Sequence, residues 1–282
     1  MGATLKHNAY GKTNVRLVKV KRDGERHNLF DITVDIALEG DLQGAFLEGD
    51  NSAVLPTDTI KNMVYVLGKQ RDFETTEDFG LALGEHFLGF SHLSKATVAL
   101  RERPWTRIPV DGAPHTHAFT GASGELHTAL VSQTRGETTI SSGITSLPIL
   151  KTTGSAFEGF MRDEFTTLKD AADRPFGTNL TALWTFGKNT QPDYGAVHSA
   201  IRAALLETFA QHDESQSVQQ TLYLMGTEAL EAADEVQKIY LSMPNEHRLL
   251  VDLSRFGMEN ENEIFVPVDE PSGMIEAVVK RA

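Results

Sequence analysis

The sequence contains no cysteine, and this absence limits its chemistry at once. Disulfide bridges and thiolate metal sites are excluded, and a reducing or redox-indifferent compartment suits the composition best. Apolar runs are short as well: none approaches the roughly 18 residues of a membrane-spanning helix, and residues 1–16 lack the apolar centre of a signal peptide. We therefore expect a soluble, cytoplasmic protein without an export signal.

Positive charge is scarce. The 282 residues include 26 lysines and arginines against 39 aspartates and glutamates, for a formal net charge of −13 at pH 7. This balance argues against nucleic acid or an anionic membrane as a partner. An anionic substrate would need a local cationic clamp. A chain of this length forms one large domain or two of ordinary size, with roughly three quarters of its unfolded surface buried.

Alternating apolar and polar residues predict an antiparallel hairpin near the start of the chain, with strands over 14–21 and 30–39 and a turn at 22–26. Helices are predicted to begin near Thr59 and near Thr76, where an acidic first turn precedes an apolar repeat. Short strands separated by Gly, Pro or Ser are then predicted at 96–103, 118–120, 126–134 and 137–144.

The second half of the chain repeats this order of elements. Strand character is found at 143–150, 162–167, 180–186, 236–242, 248–253 and 275–279, and helices are predicted at 194–210 and 217–233. The repeat predicts an α+β fold made by tandem duplication, with helices packed on one face of antiparallel sheets. We expect one domain over residues 1–140 and a second over 141–282.

The stretch Leu-Pro-Thr-Asp-Thr-Ile-Lys-Asn at 55–62 precedes the first predicted helix. Thr57, Asp58 and Thr59 are favoured at helix caps, so the stretch has a purely structural interpretation. A helix start also offers unpaired backbone N–H groups and a positive dipole end, which can hold an anion or a polar reactant beside a hydroxyl. Both interpretations stay open at this point.

Lys12, beside Gly11 and just before a strand, is another candidate. Most lysines are solvated surface charges, but a lysine that faces inward toward a hydroxyl can accept a proton. Phe157 and Arg174 offer an aromatic plate for a flat ring and a bidentate fork for its oxygens, although a core aromatic and a surface cation explain them equally.

Two further candidates lie at predicted element boundaries. Ser217 is a plausible cap of the last long helix, and Gln219 in its first turn can present a donor and an acceptor to a heterocycle or simply face solvent. Asn245 and His247 fall in a Pro-Asn turn motif, yet on an extended segment they would face the same side, where His247 could relay protons.

Three histidines, His115, His117 and His127, raise the alternative of a metal site. The pattern is weak, because a loop around Pro114 explains the first two and no acidic ligand lies at a telling offset.

Five motifs in order carry a family resemblance: Tyr-Gly-Lys-Thr-Asn-Val-Arg at 10–16, Leu-Pro-Thr-Asp-Thr-Ile-Lys-Asn at 55–62, Phe-Glu-Gly-Phe-Met-Arg-Asp-Glu-Phe-Thr-Thr-Leu at 157–168, Ser-Val-Gln at 217–219 and Pro-Asn-Glu-His at 244–247. Together they resemble the urate oxidase (uricase) family over nearly the whole chain. The resemblance implies tandem tunnelling-fold (T-fold) domains, a homotetramer around a central tunnel, and active sites at subunit interfaces.

The resemblance also implies an activity, the oxidation of urate by O₂ to 5-hydroxyisourate and hydrogen peroxide without metal or organic cofactor. It assigns roles to nine residues. Lys12 and Thr57 form a catalytic dyad with His247 as proton relay; Phe157 stacks on the purine; Arg174, Gln219 and the Val218 N–H clamp it; Asn245 helps hold O₂ or water; Thr57 and Asp58 come from a neighbouring subunit.

Alternatives to this assignment are a metal-dependent T-fold enzyme that acts on a purine or pterin through the three histidines, and a non-catalytic purine-binding or structural assembly protein. Eukaryotic family members commonly end in a peroxisomal tripeptide, whereas this chain ends in Lys-Arg-Ala. We therefore expect a bacterial, cytoplasmic enzyme.

Overall fold

The computed structural model describes residues 3–121 and 124–282. The chain divides into two compact units, one made of Met1–Gly143 with Thr185–Ala196 and the other of Ile144–Trp184 with Val197–Ala282. Division into domains over 1–140 and 141–282 stays a prediction. Within the described residues, no helix is both long and apolar enough to cross a membrane.

The first unit is an antiparallel sheet covered by helices. Its elements in chain order are β1 (Tyr10–Asp23), β2 (Arg26–Gly40), α1 (Gln43–Leu47), α2 (Thr57–Gln70), α3 (Thr76–Leu88), β3 (Leu93–Glu102), β4 (Trp105–Val110), β5 (Ala113–Gly121) and β6 (Leu126–Thr134). Neighbouring strands follow the order β1-β2-β3-β6, and β4 pairs with β5 in a separate two-stranded sheet. The predicted hairpin is confirmed as β1 and β2, joined at Gly24, whose φ of +56° suits glycine.

The core of this unit follows from the alternation along β2. Ile32, Val34, Ile36 and Leu38 are all buried, at 3% exposure or less. They pack with apolar residues of α2 and α3, such as Ile60 and Phe79, in one hydrophobic cluster. Burial of each such side chain contributes about 1.5–3 kcal/mol, so this stripe is what fixes the two helices on the sheet.

The two helices begin differently. Thr75 caps α3 in a capping box, because its side chain accepts from the Asp78 N–H and the Asp78 carboxylate accepts from the Thr75 N–H. The start predicted for α2 near Thr59 is wrong by one half turn. Pro56 occupies the cap position with φ −53° and no side-chain cap bond, and Thr57 is the first helical residue. The position of Thr57 is therefore not fixed by a side-chain cap of the helix.

The second unit repeats the sheet-and-helix pattern. The remaining elements in chain order are β7 (Thr138–Lys151), β8 (Phe176–Phe186), α4 (Tyr194–Gln211), α5 (Val218–Glu231), β9 (Val236–Ser242), β10 (Asn245–Leu250), a 3₁₀ turn (Ser254–Phe256), β11 (Phe265–Gly273) and β12 (Glu276–Lys280). β7, β8 and α4 contribute residues to both units. In the second unit β8 pairs with β9 and β10, β12 extends β9, and β11 extends β10. Both predicted long helices are confirmed.

Three differences from the sequence prediction have physical causes. Residues 162–167 are not a strand, because Asp163 Oδ1 accepts from the Phe165 N–H (3.0 Å) and from Thr166 Oγ1 (2.8 Å) and so closes a local turn. β4 and β11 were not predicted because Pro109, Pro267 and Pro271 interrupt them. Both strands lie at sheet edges, where a missing N–H is tolerated.

A half-buried carboxyl makes the stability of the first unit depend on pH. Burial raises the pKa of Glu102 at the end of β3 to about 7, and the charges of Glu77 and Asp31 act in the same direction, while His127 opposes them. The unfolded chain loses this proton near pH 4.5, but the folded chain keeps it until about pH 7. Folding stability therefore falls as pH rises from 4.5 to 7, by about 3 kcal/mol for this group.

We expect Glu102→Gln to melt at a higher temperature than the unchanged protein at pH 8, since the amide cannot ionise. Thermal denaturation followed by circular dichroism at pH 5 and pH 8 measures this, and the difference should shrink toward the lower pH. Glu137→Gln is the matched control, because Glu137 pairs with Lys188 at the surface (3.0 Å). A Glu102→Gln variant less stable than the control at pH 8 would contradict the assignment.

Candidate active site

One cavity of the second unit collects most of the predicted substrate residues. Its volume is about 320 Å³, at the small end of the range for ligand pockets. Six predicted residues line it: Phe157, Arg174, Val218, Gln219, Asn245 and His247. They come from three separate parts of the chain, so the fold alone brings them together.

Phe157 and Arg174 form one wall. Backbone bonds between Phe157 and Ala171 join their segments, at 2.8 and 3.1 Å, and the Arg174 N–H donates to the Ser155 carbonyl (2.8 Å). The Phe157 ring stacks on Phe160 with centroids 5.0 Å apart and planes 9° apart. The Arg174 guanidinium carbon lies 5.4 Å from the Phe157 ring centroid. An aromatic face and a planar cation thus stand side by side.

Arg174 is suited to an anionic ligand. Burial lowers its pKa, and among the described residues no carboxylate forms an ion pair with it. A half-buried guanidinium without a counter-ion is costly unless a ligand supplies the negative charge. On a chain with a net charge of −13, this is the local cationic clamp that the composition calls for.

The start of α5 forms a second wall. The Ser217 side chain caps the helix by accepting from the Gln220 N–H (3.2 Å), so the predicted cap is confirmed. In the described part of the chain the N–H groups of Val218 and Gln219 meet no acceptor. Two free donors at the positive end of a helix favour an electron-rich ligand beside them.

β10 supplies the third wall. Asn245 and His247 belong to this strand rather than to a turn, and both line the cavity. The register between β10 and β11 shifts between these two residues. Arg248 also lines the cavity, held by Nη1 donating to the His247 carbonyl (3.1 Å) and by Glu246 (3.5 Å).

Sequence reasoning missed several lining residues. The cationic ones are Lys169 and Arg248, and the apolar ones are Leu168, Leu249, Leu250 and Ile275, with Ala171 and Pro175 between the segments. Lys169 lies five residues before Arg174, and this spacing is too weak a pattern to have identified it. Arg248 neighbours His247, and strict strand alternation would have placed it on the other face.

Lys12, Thr57 and Asp58 lie in the first unit. Lys12 is half-buried on β1, opposite Ile36, and Val15 is opposite Val34. Three residue steps on β1 therefore match two on β2, which defines a β-bulge. Residues 12 and 15 consequently face the same side, the side of the buried Val34 and Ile36. Without the bulge Lys12 would face the other side of the sheet.

Polar contacts hold this bulge in place. Asn14 adopts a φ of +56°, which asparagine tolerates better than most residues. Its N–H donates to Asp35 Oδ1 (2.5 Å), and Arg101 donates to Asp35 Oδ2 (2.7 Å) and to Asn14 Oδ1 (3.1 Å). Gly11 is required just before it, because a Cβ there would clash with the Ile36 carbonyl.

Thr57 and Asp58 occupy the first turn of α2, which packs on β1. Lys61 donates to Asp58 Oδ1 (2.5 Å) and lowers the pKa of that carboxyl, an effect to which the charge of Lys12 adds. Asn62 donates to the other carboxylate oxygen (3.1 Å). Asp58 is therefore an oriented anion that lies within the electrostatic reach of Lys12.

The three histidines of the alternative metal site, His115, His117 and His127, make the following contacts. His115 and His117 contact each other edge to face with ring centroids 4.6 Å apart, and His127 Nε2 lies 3.5 Å from Glu125 Oε1. Over the described ranges, no three His, Cys, Asp or Glu side chains converge in a way that could hold a metal ion. The metal-dependent alternative therefore lacks a ligand set in these residues.

Comparison with known proteins identifies relatives of this chain. The family model described as Uricase matches residues 8–132 and 140–276. A uricase of Arthrobacter globiformis is 42% identical over 278 residues, which cover 98% of this chain and 90% of the relative. A uricase of Dictyostelium discoideum is 40% identical over 285 residues, covering 99% and 98% respectively.

Solved structures agree. The crystal structure of the Arthrobacter globiformis uricase superimposes with a TM-score of 0.93 over 100% of this chain and 96% of that one. The urate oxidase of Bacillus sp. TB-90, at 26% identity, superimposes with a TM-score of 0.84 over 97% of this chain and 100% of that one. These superpositions confirm the predicted α+β tunnelling fold. With the family model matched along both halves and relatives at 40% and 42% identity aligned to nearly all of the sequence, this chain belongs to the uricase family.

Proposed function

We propose that this protein is a urate oxidase, an oxidoreductase that converts urate, O₂ and water to 5-hydroxyisourate and hydrogen peroxide. The observation that carries the proposal is the convergence of six predicted site residues, four of them purine-recognition candidates, on one cavity of about 320 Å³ in a member of this family. A planar bicyclic anion suits an aromatic plate, an unpaired guanidinium and two free N–H donors better than a neutral or non-planar ligand does.

The residues of the cavity bind and orient the purine. Phe157 stacks on the ring, Arg174 grips its oxygens with a planar fork, and Gln219 with the Val218 N–H completes the clamp from α5. The contacts of Arg174, Gln219 and the Val218 N–H favour the deprotonated, electron-rich form of urate, because each presents positive charge or a donor. That form is the one that gives up electrons to O₂ most readily.

The proton movements fall to Lys12, Thr57 and His247 in this proposal. Lys12 and Thr57 form a dyad that takes a proton from urate, and His247 relays protons toward the developing peroxide. Two electrons pass from the purine to O₂, which becomes H₂O₂, and water adds a hydroxyl to the oxidised ring. Asn245 holds O₂ or water at this edge. No metal or organic cofactor enters the scheme.

The proposal includes a homotetramer in which Thr57 and Asp58 of a neighbouring copy complete each site. Two features support assembly. Among the described strands, β1 in the first unit and β11 in the second each pair on one side only, which leaves backbone groups open to another chain. Met161 and Phe165 are 91% and 81% exposed, an arrangement that suits burial against a copy. Light scattering, which measures the mass of the assembly, tests this part of the proposal.

We expect urate in an aerated solution to be consumed when the metal-free protein is added, with one O₂ consumed and one H₂O₂ formed per urate. Ultraviolet absorbance of urate and an oxygen electrode measure this, and an anaerobic sample is the control. Protein that binds urate without consuming it would favour a non-catalytic purine-binding protein. Activity that returns only with stoichiometric zinc would favour the metal-dependent alternative.

A cytoplasmic location, tested by cell fractionation, is the remaining part of the proposal.

A further inference from the structure

A buried hydroxyl lies behind the cavity and does not touch it. Thr221, one turn into α5, is completely buried, with 0% exposure. Its Oγ1 lies 2.7 Å from Ser215 Oγ and 3.0 Å from His212 Nδ1. Contact with the Ser217 carbonyl, at 3.5 Å, is at the limit of a hydrogen bond. The side chain of Thr221 thus joins α5 to the segment that precedes it.

Ser215 extends this link to the wall that carries Phe157. Its carbonyl accepts from the Ala156 N–H (2.7 Å), and its N–H donates to the Gly154 carbonyl (3.2 Å). Phe157 directly follows Ala156 in the chain. The carbonyl of Ser155, which precedes Ala156, accepts from the Arg174 N–H (2.8 Å). One connected set of hydrogen bonds therefore runs from α5, which bears Gln219, to the segments that bear Phe157 and Arg174.

The distances favour one direction for the buried bonds. Ser215 has a single hydroxyl proton and donates it to the Ser217 carbonyl (3.1 Å). Thr221 then donates its only proton to Ser215 Oγ, the shorter of its contacts. In this arrangement His212 Nδ1 donates to Thr221 Oγ1, which corresponds to the Nδ1–H tautomer of the neutral ring. Burial lowers the pKa of His212, in agreement with a neutral ring.

We propose that Thr221 is a positioning residue for the purine clamp, whose hydroxyl sets the spacing between Gln219 on α5 and the Phe157–Arg174 wall. The inference rests on the proposed function, because it takes urate as the ligand of the cavity. Valine has nearly the same shape as threonine but no hydroxyl. In Thr221→Val the Ser215 and His212 groups lose their shared partner in a buried place, and the first turn of α5 is released from the wall.

The test compares Thr221→Val with Thr221→Ser. We expect Thr221→Val to raise KM for urate and to weaken binding of xanthine, a purine without the 8-oxo group that serves as a non-reacting probe, by about tenfold each. The value of kcat should change by less than about threefold, because Lys12 and Thr57 are untouched. Thr221→Ser retains the hydroxyl and should stay within about twofold of the unchanged protein in KM and in probe binding.

Thr227→Val is the matched control on the same helix. Among the described residues, the Thr227 hydroxyl bonds only the Tyr223 carbonyl one turn back (3.0 Å), away from the lining of the cavity. If Thr221→Val does not yield folded protein, Ser215→Ala removes the same link from its other side and should show the same rise in KM. Normal KM and probe binding in Thr221→Val, or an equal loss in Thr221→Ser, would overturn the proposal. If the unchanged protein neither oxidises urate nor binds xanthine, the proposed function itself fails, together with this inference.

Discussion

Replacement of Lys12 by methionine is expected to lower kcat for urate by about 10²–10⁴-fold while xanthine still binds. The β-bulge turns Lys12 toward the buried side of β1, on which α2 packs, and Thr57 lies in the first turn of that helix. Methionine keeps the length and the apolar stem of the lysine but cannot exchange a proton. Because the clamp residues lie on other segments, ligand binding should survive the change.

Companion variants separate proton transfer from charge. Lys12→Arg should be nearly as inactive as Lys12→Met, since a guanidinium keeps its proton in proteins. Thr57→Ala should lose turnover severely, and Thr57→Ser should regain much of it. Lys238→Met, an exposed lysine on β9, is the matched control for the loss of a strand lysine. Steady-state kinetics with a probe-binding assay measure all four. Full turnover by Lys12→Met would rule out the dyad.

The second large effect is expected at Arg174, where Arg174→Gln should lower kcat/KM for urate by about 100-fold or more and should weaken xanthine binding in parallel. The guanidinium is half-buried, its carbon lies 5.4 Å from the Phe157 ring centroid, and it forms no ion pair among the described residues, so its charge is available to the ligand. The parallel loss of binding distinguishes Arg174 from Lys12, whose replacement should spare it.

Arg174→Lys tests geometry rather than charge. An ammonium cannot form two parallel bonds to the purine, so we expect only partial recovery relative to Arg174→Gln. Arg162→Lys is the matched control, because Arg162 also lies over a phenylalanine ring, that of Phe160 at 4.4 Å, but it pairs with Asp170 outside the cavity lining. An Arg174→Lys variant with unchanged KM would contradict bidentate recognition.

Elements that depend on neighbouring residues could be predicted from the sequence. The alternation of β2 specifies its buried face, and the Thr75–Asp78 capping box specifies the start of α3, because each acts over a few residues. The start of α2 was misjudged because threonine and aspartate are good caps, whereas here Pro56 holds that position. Proline-interrupted β4 and β11 escaped prediction because edge pairing, which permits proline, is a tertiary property.

Some features of the candidate site could likewise be predicted from the sequence, and others could not. Period-two spacing places Asn245 and His247 on one side of a strand, and both line the cavity. Their roles, like those of Lys12 and Thr57, come from the family resemblance and stay predictions. The bond between Thr221 and Ser215 could not be predicted from local pattern, since a threonine inside a helix is ordinarily a neutral choice and its partner lies in the preceding loop.

Because of the bulge in β1, the proposed role of Lys12 depends on the number of residues between Gly11 and Val15 as well as on the lysine itself. One extra residue between Gly11 and Val15 turns Lys12 toward the side on which α2 packs. Removal of one residue there, such as Asn14, would restore regular pairing and turn the Lys12 amine to the opposite face of the sheet. Every residue type of the dyad would still be present. A survey of single substitutions would therefore not detect this requirement, whereas single-residue deletions would. The spacing from the Tyr-Gly-Lys motif to the next buried valine is as much a part of the proposed site as the lysine.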